Sequence, residues 1–272
     1  MHPIQSVLFV PGNRPERFAK ALASGADCVC IDLEDAVPAR EKDEARTASL
    51  AAIGEDARLA IRINGLATRA GLADLLALAE APLRPALLFI PMVESGKEVA
   101  IARAIFADSA VQFVPLIETV SGIANASAIA DEAGVFALML GGADLSAQLG
   151  VTLGWEPLQL ARSQLVMAAA GAGKSVIDVP FIHLDDEAGL VCEAGRAKAM
   201  GFTAKAAIHP AQIASIHSVF RPTADEIAEA GEAEAAYAAA HGAPVRFRGK
   251  MLEAPVMARY RQILAYKDIS HA

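Results

Sequence analysis

The strongest constraint on the fold of this chain is an alternation. Short β-branched runs alternate with Ala/Leu-rich stretches almost from one end to the other. The strand-like runs fall near Gln5–Val10, Asp27–Leu33, Leu59–Asn64, Ala86–Pro91, Val111–Ile117, Val135–Gly141, Ser175–Val179 and Thr203–Ile208. Between them, apolar residues recur at helical spacing, as at Leu72, Leu75, Leu76 and Ala79. Leu87-Leu88-Phe89-Ile90 and Phe136-Ala137-Leu138-Met139-Leu140 are continuously apolar, as expected of parallel strands covered on both faces. Eight βα units in about 220 residues predict an α/β chain closed into a (β/α)8 barrel, the TIM-barrel architecture. A doubly wound sheet is the competing arrangement, but such sheets usually stop at about five to seven strands.

Length agrees with the count. The chain has 272 residues, long for one ordinary domain, whereas a single barrel runs to about 250. The expected division is a barrel over residues 1–222 and a C-terminal extension over 223–272. The extension begins with an acidic, Ala-rich helical stretch, Thr223–His241, opened by Thr223 as N-cap with Glu226 three positions on. A basic turn with a short strand-like run follows at Gly242–Lys250, and Ala254–Tyr266 is again helical.

Charge and hydropathy exclude several classes. The 24 Lys+Arg and 32 Asp+Glu leave a net charge of −8, against a nucleic-acid or anionic-membrane binder. Mean hydropathy is +0.36, but alanine alone accounts for 60 residues. The longest stretch without a charged residue, Ala206–Phe220, has 15 residues and is too short for a spanning helix, which needs about 20. The N-terminus has no signal-peptide pattern. Cys28, Cys30 and Cys192 form neither a zinc pattern nor a disulfide framework, so the chain is expected to be cytoplasmic.

In a barrel, chemistry sits at the C-terminal ends of the strands. The polar residues there are Asn13 and Arg14, then Asp32, Glu34 and Asp35, Arg62 and Asn64, Glu118 and Thr119, Asp144, Asp178, and His209. Glu118 and Asp144 belong to neighbouring strand ends and would face one mouth. Two carboxylates without His or Cys suit a hard cation such as Mg2+. The competing reading makes Asp144 a helix cap and pairs Glu118 with a surface arginine. Arg62 lies inside an otherwise apolar strand and is not expected to be buried unpaired. It would bind a substrate carboxylate or developing enolate oxygen, or pair with Asp32 or Glu34, and both readings can hold at once. Gly171-Ala172-Gly173-Lys174-Ser175 resembles a phosphate loop but has Ala168 where the first Gly should stand, so it is read as a helix-to-strand turn. His183, His217 and His241 are read as surface or packing residues. The Glu229–Glu234 charge run is read as a solvated helix face.

With those positions in view, the chain resembles the citrate lyase β-subunit-like (CitE-like) branch of the acyl-CoA lyases, in the HpcH/HpaI aldolase superfamily. The matching pieces are Leu8-Phe9-Val10-Pro11-Gly12, Asp32-Leu33-Glu34-Asp35-Ala36-Val37, Ile61-Arg62-Ile63-Asn64, Pro115-Leu116-Ile117-Glu118-Thr119, Gly141-Gly142-Ala143-Asp144-Leu145, Ile208-His209-Pro210 and Gly249-Lys250-Met251. They occur in order and span nearly the whole chain; the ordered set is specific, single pieces are not.

The resemblance implies a barrel with Mg2+ on Glu118 and Asp144 and with Arg62 at the substrate. It implies a homo-oligomer, trimer or hexamer, whose C-terminal segment reaches a neighbouring subunit's active site. Malyl-CoA lyases carry a catalytic Asp after their Gly-Lys-Met motif, where this chain has Glu253. The implied reaction is retro-Claisen cleavage of a 3-hydroxyacyl-CoA, of citramalyl-CoA or malyl-CoA type, to acetyl-CoA and a keto acid such as pyruvate or glyoxylate. Arg62 would stabilise the enolate and Glu253 would protonate it. Glu34 and Asp35 would hold metal-bound waters or act as the hydroxyl base. Arg14, Arg17 and Lys20 are the nearest cations for the coenzyme phosphates. The alternatives are a citrate lyase β subunit acting on a carrier-bound citryl group, a malyl-CoA thioesterase, and a non-catalytic metal-binding scaffold.

Overall fold

Parallel strands roofed by helices are buried on both faces, which is why so few polar residues interrupt them. The computed structural model describes residues 4–54, 56–106 and 110–270, with the backbone alone for 267–270. The chain divides into two compact units, Ile4–Phe220 and a second from Arg221 onward.

In the first unit, strands β1 (Ser6–Pro11), β2 (Cys28–Asp32), β3 (Leu59–Arg62), β4 (Leu87–Ile90), β5 (Gln112–Ile117), β6 (Ala137–Leu140), β7 (Ser175–Asp178) and β8 (Ala204–Ala207) form a closed barrel in sequence order. All eight predicted runs are therefore strands. Pairing is parallel throughout, and β8 closes on β1 with Val7 opposite Ala206. Helices α1 (Phe18–Leu22), α2 (Lys42–Ala52), α3 (Arg69–Glu80), α4 (Gly96–Ile105), α5 (Val120–Ala124), α6 (Ala126–Ala130), α7 (Gly142–Leu149), α8 (Trp155–Gly171), α9 (Glu187–Met200) and α10 (Gln212–Phe220) make the connections.

Strand parity sorts the side chains into two layers. Val7, Cys28, Cys30, Ala60, Phe89, Leu116, Met139, Ile177, Ala204 and Ala206 fill the barrel interior. Leu8, Ile31, Ile61, Leu88, Leu138 and Val176 face outward against the helices, in the larger core. Ala and Cys make room there for Phe89, Leu116, Met139 and Ile177, so the interior is a packed core rather than a pore.

Two outward positions break the apolar layer. Asp178 and Lys205 are partners in the β7–β8 register, and both are 0% exposed. Lys205 Nζ donates to Asp178 Oδ2, to Glu193 Oε1 and to the Val179 carbonyl, each at 2.8 Å. Arg162 Nε, on α8, donates to Asp178 Oδ1 at 2.8 Å. Arg162 and Arg196 both stack on the Trp155 indole, at 4.4 and 4.3 Å. Asp178 was expected at the barrel mouth; its parity instead turns it toward the helices, where two cations meet it.

The second unit holds α11 (Ala224–Ala239), β9 (Val245–Phe247), β10 (Lys250–Leu252) and α12 (Ala254–Ser270). β9 and β10 form an antiparallel hairpin, and Ala233, Tyr237, Leu252 and Met257 make a small core. Thr223 caps α11 with Glu226 returning the bond, as its spacing predicts. The Glu229–Glu234 run is more than a solvated face. Arg248 pairs with Glu229 and Glu232, and Arg261 with Glu234. Gly171–Ser175 is the helix-to-strand turn between α8 and β7, as read from its sequence. Of the histidines, His217 bonds Ser6 and Asp27, and His183 packs edge-on against Phe181.

Candidate active site

The inward parity continues past the strand ends and builds a cavity of about 410 Å3 at the C-terminal mouth. Phe9, Pro11, Asp32, Arg62, Leu116, Glu118, Met139, Gly141, Val179 and Ile208 line it, with Asp144 from the first turn of α7 and Asp35, Leu153, Pro180 and Ile182 from the loops. Arg62, Glu118, Asp144 and Asp35 therefore meet in one cavity.

Asp32 organises the acidic side. It is opposite Arg62 in register, and the two make a bidentate pair, Nε to Oδ1 at 2.7 Å and Nη2 to Oδ2 at 2.6 Å. The same carboxylate accepts the backbone N–H of Glu34 at 2.9 Å and of Ala36 at 3.1 Å, shaping the loop after β2. Lys42 and Asn64 bind the loop's carbonyls from behind, both reaching Leu33. The Phe9 ring lies 5.1 Å from the Arg62 guanidinium, adding a cation–π contact. Arg62 Nη1 stands 2.9 Å from Glu34 Oε2, but Oε2 has no hydrogen-bond partner, so the contact is coulombic rather than directional. Asp35 lies 3.5 Å from the same nitrogen. Burial works against the Arg62 charge, but the bonds and charge of Asp32, with Glu34 and Asp35, outweigh it and hold the guanidinium protonated.

Glu118 is 3% exposed and set by an unusual donor. Its Oε2 accepts the Met92 N–H at 2.9 Å, and Met92, after β4, is in the left-handed region at φ 57°. A residue that rarely adopts this backbone does so where its N–H must meet a buried carboxylate. A Cβ added at Gly141 would overlap the Glu118 Cγ and carboxyl. The glycine leaves the space the carboxylate fills. Gly141 is also the N-cap of α7, with no side-chain capping bond, and Asp144 lies in the first turn. Neither competing reading holds: Gly141 rather than Asp144 is the N-cap, and among the described residues no surface arginine pairs with Glu118.

Anions outnumber cations here. Burial pushes the Glu118 carboxyl up to about 7, opposed by the Met92 N–H and Arg62 and assisted by Asp144. Burial likewise pushes Glu34 up to about 8, against Arg62 and with Glu118. Burial and Asp35 raise Asp144 as well. A cation among these carboxylates would relieve their crowding. Among the described residues no group of three or more His, Cys, Asp or Glu is placed to hold a metal. The oxygen-only pair Glu118 and Asp144, with coordination left over for water and substrate, fits Mg2+ rather than zinc.

The other expected residues stand elsewhere. Arg14, Arg17 and Lys20 are exposed on and before α1, outside the cavity lining. Glu34 is behind Arg62 rather than in the lining. Glu253 is exposed in the second unit, its carbonyl accepting the Met257 N–H at the start of α12. Met92, Leu153, Pro180 and Ile182 were not singled out in the sequence, and Gly141, Val179 and Ile208 were named there only as strand ends or motif pieces, without their roles in the cavity. No polar atom marks them, though the strand alternation would have placed Val179 and Ile208.

Comparison with known proteins shows the family. The family model HpcH/HpaI aldolase/citrate lyase matches residues 5–210. The chain is 32% identical to the mitochondrial citramalyl-CoA lyase of Homo sapiens, covering 94% of this chain and 83% of that one. It is 34% identical to a (3S)-malyl-CoA thioesterase of Cereibacter sphaeroides, covering 97% and 94%. The crystal structure of CitE from Mycobacterium tuberculosis in complex with magnesium, acetoacetate and coenzyme A superposes with a TM-score of 0.84 at 31% identity, covering 98% of each chain. No helix among the described residues is long and apolar enough to cross a membrane.

Proposed function

The chain is an enzyme of the HpcH/HpaI aldolase/citrate lyase family, and from that premise we propose that it cleaves a 3-hydroxyacyl-CoA of citramalyl-CoA or malyl-CoA type to acetyl-CoA and a keto acid such as pyruvate or glyoxylate. The observation that carries this reading is the convergence of Glu118, Asp144 and Arg62 in one cavity with an excess of carboxylates. Relatives supply the substrate class: one is named for citramalyl-CoA, and another was crystallised with magnesium and coenzyme A.

Glu118 and Asp144 would hold Mg2+, which when bound supplies Lewis-acid polarisation of the substrate's hydroxy-acid oxygens. Asp35, in the cavity lining, would accept the hydroxyl proton or hold a metal-bound water, and Glu34 would act through it from behind Arg62. As that proton leaves, the C–C bond breaks, its electron pair passing to the thioester side as an enolate. Arg62 stabilises the enolate oxygen through Nη1, the nitrogen not committed to Asp32. A proton delivered to the enolate carbon gives acetyl-CoA, and Glu253 of a neighbouring subunit in a trimer or hexamer is assigned as its donor. Arg14, Arg17 and Lys20 are assigned to the coenzyme phosphates, where their charge is local despite the net −8.

Incubation of the purified protein and Mg2+ with a panel of CoA thioesters, with both products identified by mass spectrometry, tests this. Acetyl-CoA with a keto acid is the expected outcome. Free CoA with an intact hydroxy acid would instead make the protein a thioesterase, the reading favoured by the Cereibacter relative. Turnover only with a carrier-bound citryl group would make it a citrate lyase β subunit.

A further inference from the structure

The wall facing the carboxylates is apolar and consists of loop. Leu153, Val179, Pro180, Ile182 and Ile208 come from the segments after α7, β7 and β8. Loops that line sites usually yield to what they bind, yet these are tied from behind. Lys205 Nζ, wholly buried outside the barrel, holds the Val179 carbonyl at 2.8 Å. Gln212, at the start of α10 and 5% exposed, holds the Phe181 carbonyl through Nε2 at 2.7 Å. Its Oε1 accepts the N–H of Ile208 at 3.0 Å and of His209 at 3.2 Å. Two side chains thus fix the backbone on both sides of Pro180 and join it to the segment carrying Ile208. Val179 and Leu153 in turn lie where a Cβ on Gly142 would strike them, at 2.8 and 2.9 Å, so the wall abuts the turn that carries Asp144.

Stability does not account for a buried lysine here, because hydrophobic replacements of buried ion pairs are often neutral or stabilising. A hydrophobe cannot reach a loop carbonyl. We propose that Lys205 and Gln212 are positioning residues that keep the apolar wall from yielding, and thereby set the discrimination between substrates that differ by one carbon at the carbinol centre. The proposal rests on the lyase reading for its substrate class. A pocket separates such substrates by about 10- to 200-fold, and only if its wall does not relax around the wrong one.

Two variants test it. Gln212→Glu, assayed at a pH where the carboxylate is ionised, keeps the acceptor for Ile208 and His209 and removes the donor to Phe181. Lys205→Met combined with Glu193→Gln removes one cation and one anion, leaving Arg162 paired with Asp178. The readouts are the ratio of kcat/KM for two 3-hydroxyacyl-CoA thioesters that differ by a methyl group at the carbinol carbon, and amide hydrogen exchange over residues 179–182 and 208–209. The expected result is a ratio about tenfold nearer unity, with faster exchange confined to those segments. An unchanged ratio in both variants overturns the proposal. So does exchange that rises evenly over the barrel strands, the mark of general destabilisation. A wild type that turns over none of the thioesters overturns the lyase reading, while the exchange data still decide whether the wall is pinned.

Discussion

Two clusters of arginine and aspartate stand on the barrel, one across β2 and β3 and the other across β7 and β8, and they are built to opposite ends. Around Arg62, the carboxylates of Asp32, Glu34 and Asp35 share one guanidinium, with Glu118 and Asp144 across the cavity. Around Asp178, two cations and two carboxylates balance, and the pairs are sealed between barrel and helices. Both contain an arginine, aspartate and glutamate, and the second adds a lysine. What differs is charge balance and the face of the strand, and the imbalance leaves one cluster able to accept something from outside.

Mutation should affect the two clusters in opposite ways. Glu118→Gln should lower kcat/KM by about 1000-fold, the scale of losing a group aimed at developing charge. Its metal-free melting temperature should equal or exceed that of the wild type, because a crowded carboxylate has been relieved. Asp178→Asn should do the reverse. It leaves Lys205 with Glu193 and takes from the buried Arg162 its Asp178 carboxylate, so chemical denaturation should show a loss of about 3–5 kcal/mol, the cost of breaking a buried pair. If Asp178→Asn melts like the wild type, the second cluster is not a closed ion network.

pH separates the clusters more gently. A carboxyl raised by folding keeps a proton that the unfolded chain releases, so its contribution to stability is complete below about 4.5 and is lost as pH rises through its folded value. With Glu118 at about 7 and Glu34 at about 8, the metal-free protein should melt at progressively lower temperature from pH 5 to pH 8.5. Glu34→Gln and Glu118→Gln should each flatten that slope; a slope unchanged in both would remove the charge-crowding argument. The smallest effect contrasts the packed interior with the surface. Burial pushes the Cys28 thiol up to about 12 and Cys30 well above its usual value, whereas Cys192 is exposed. A disulfide reagent should titrate one thiol in the native protein and three after denaturation.

The barrel was legible in the alternation because every strand is apolar on two faces and every connection is helical. The polar set was legible where chemistry demanded an incongruous residue, as with Arg62 between Ile61 and Ile63. Asp178 shows what misleads: continuous apolar strands hide their parity, and only its place one residue out of phase with Ile177 and Val179 distinguishes it from Asp32. Met92 left no trace, because its contribution is a backbone N–H in an uncommon conformation. Lys205 was equally hidden, since a lysine among Ala204, Ala206 and Ala207 carries no sign of the carbonyl it holds.

Gly141 has a consequence for tracing this activity across relatives. The residue contributes no functional group, yet Glu118 occupies its place only because nothing projects from the glycine. A homologue could retain all the acidic residues of the mouth and still be a pseudoenzyme, if position 141 had gained so much as a methyl group. Sorting active members from inactive ones therefore depends on an atom that is absent as much as on the carboxylates that are present.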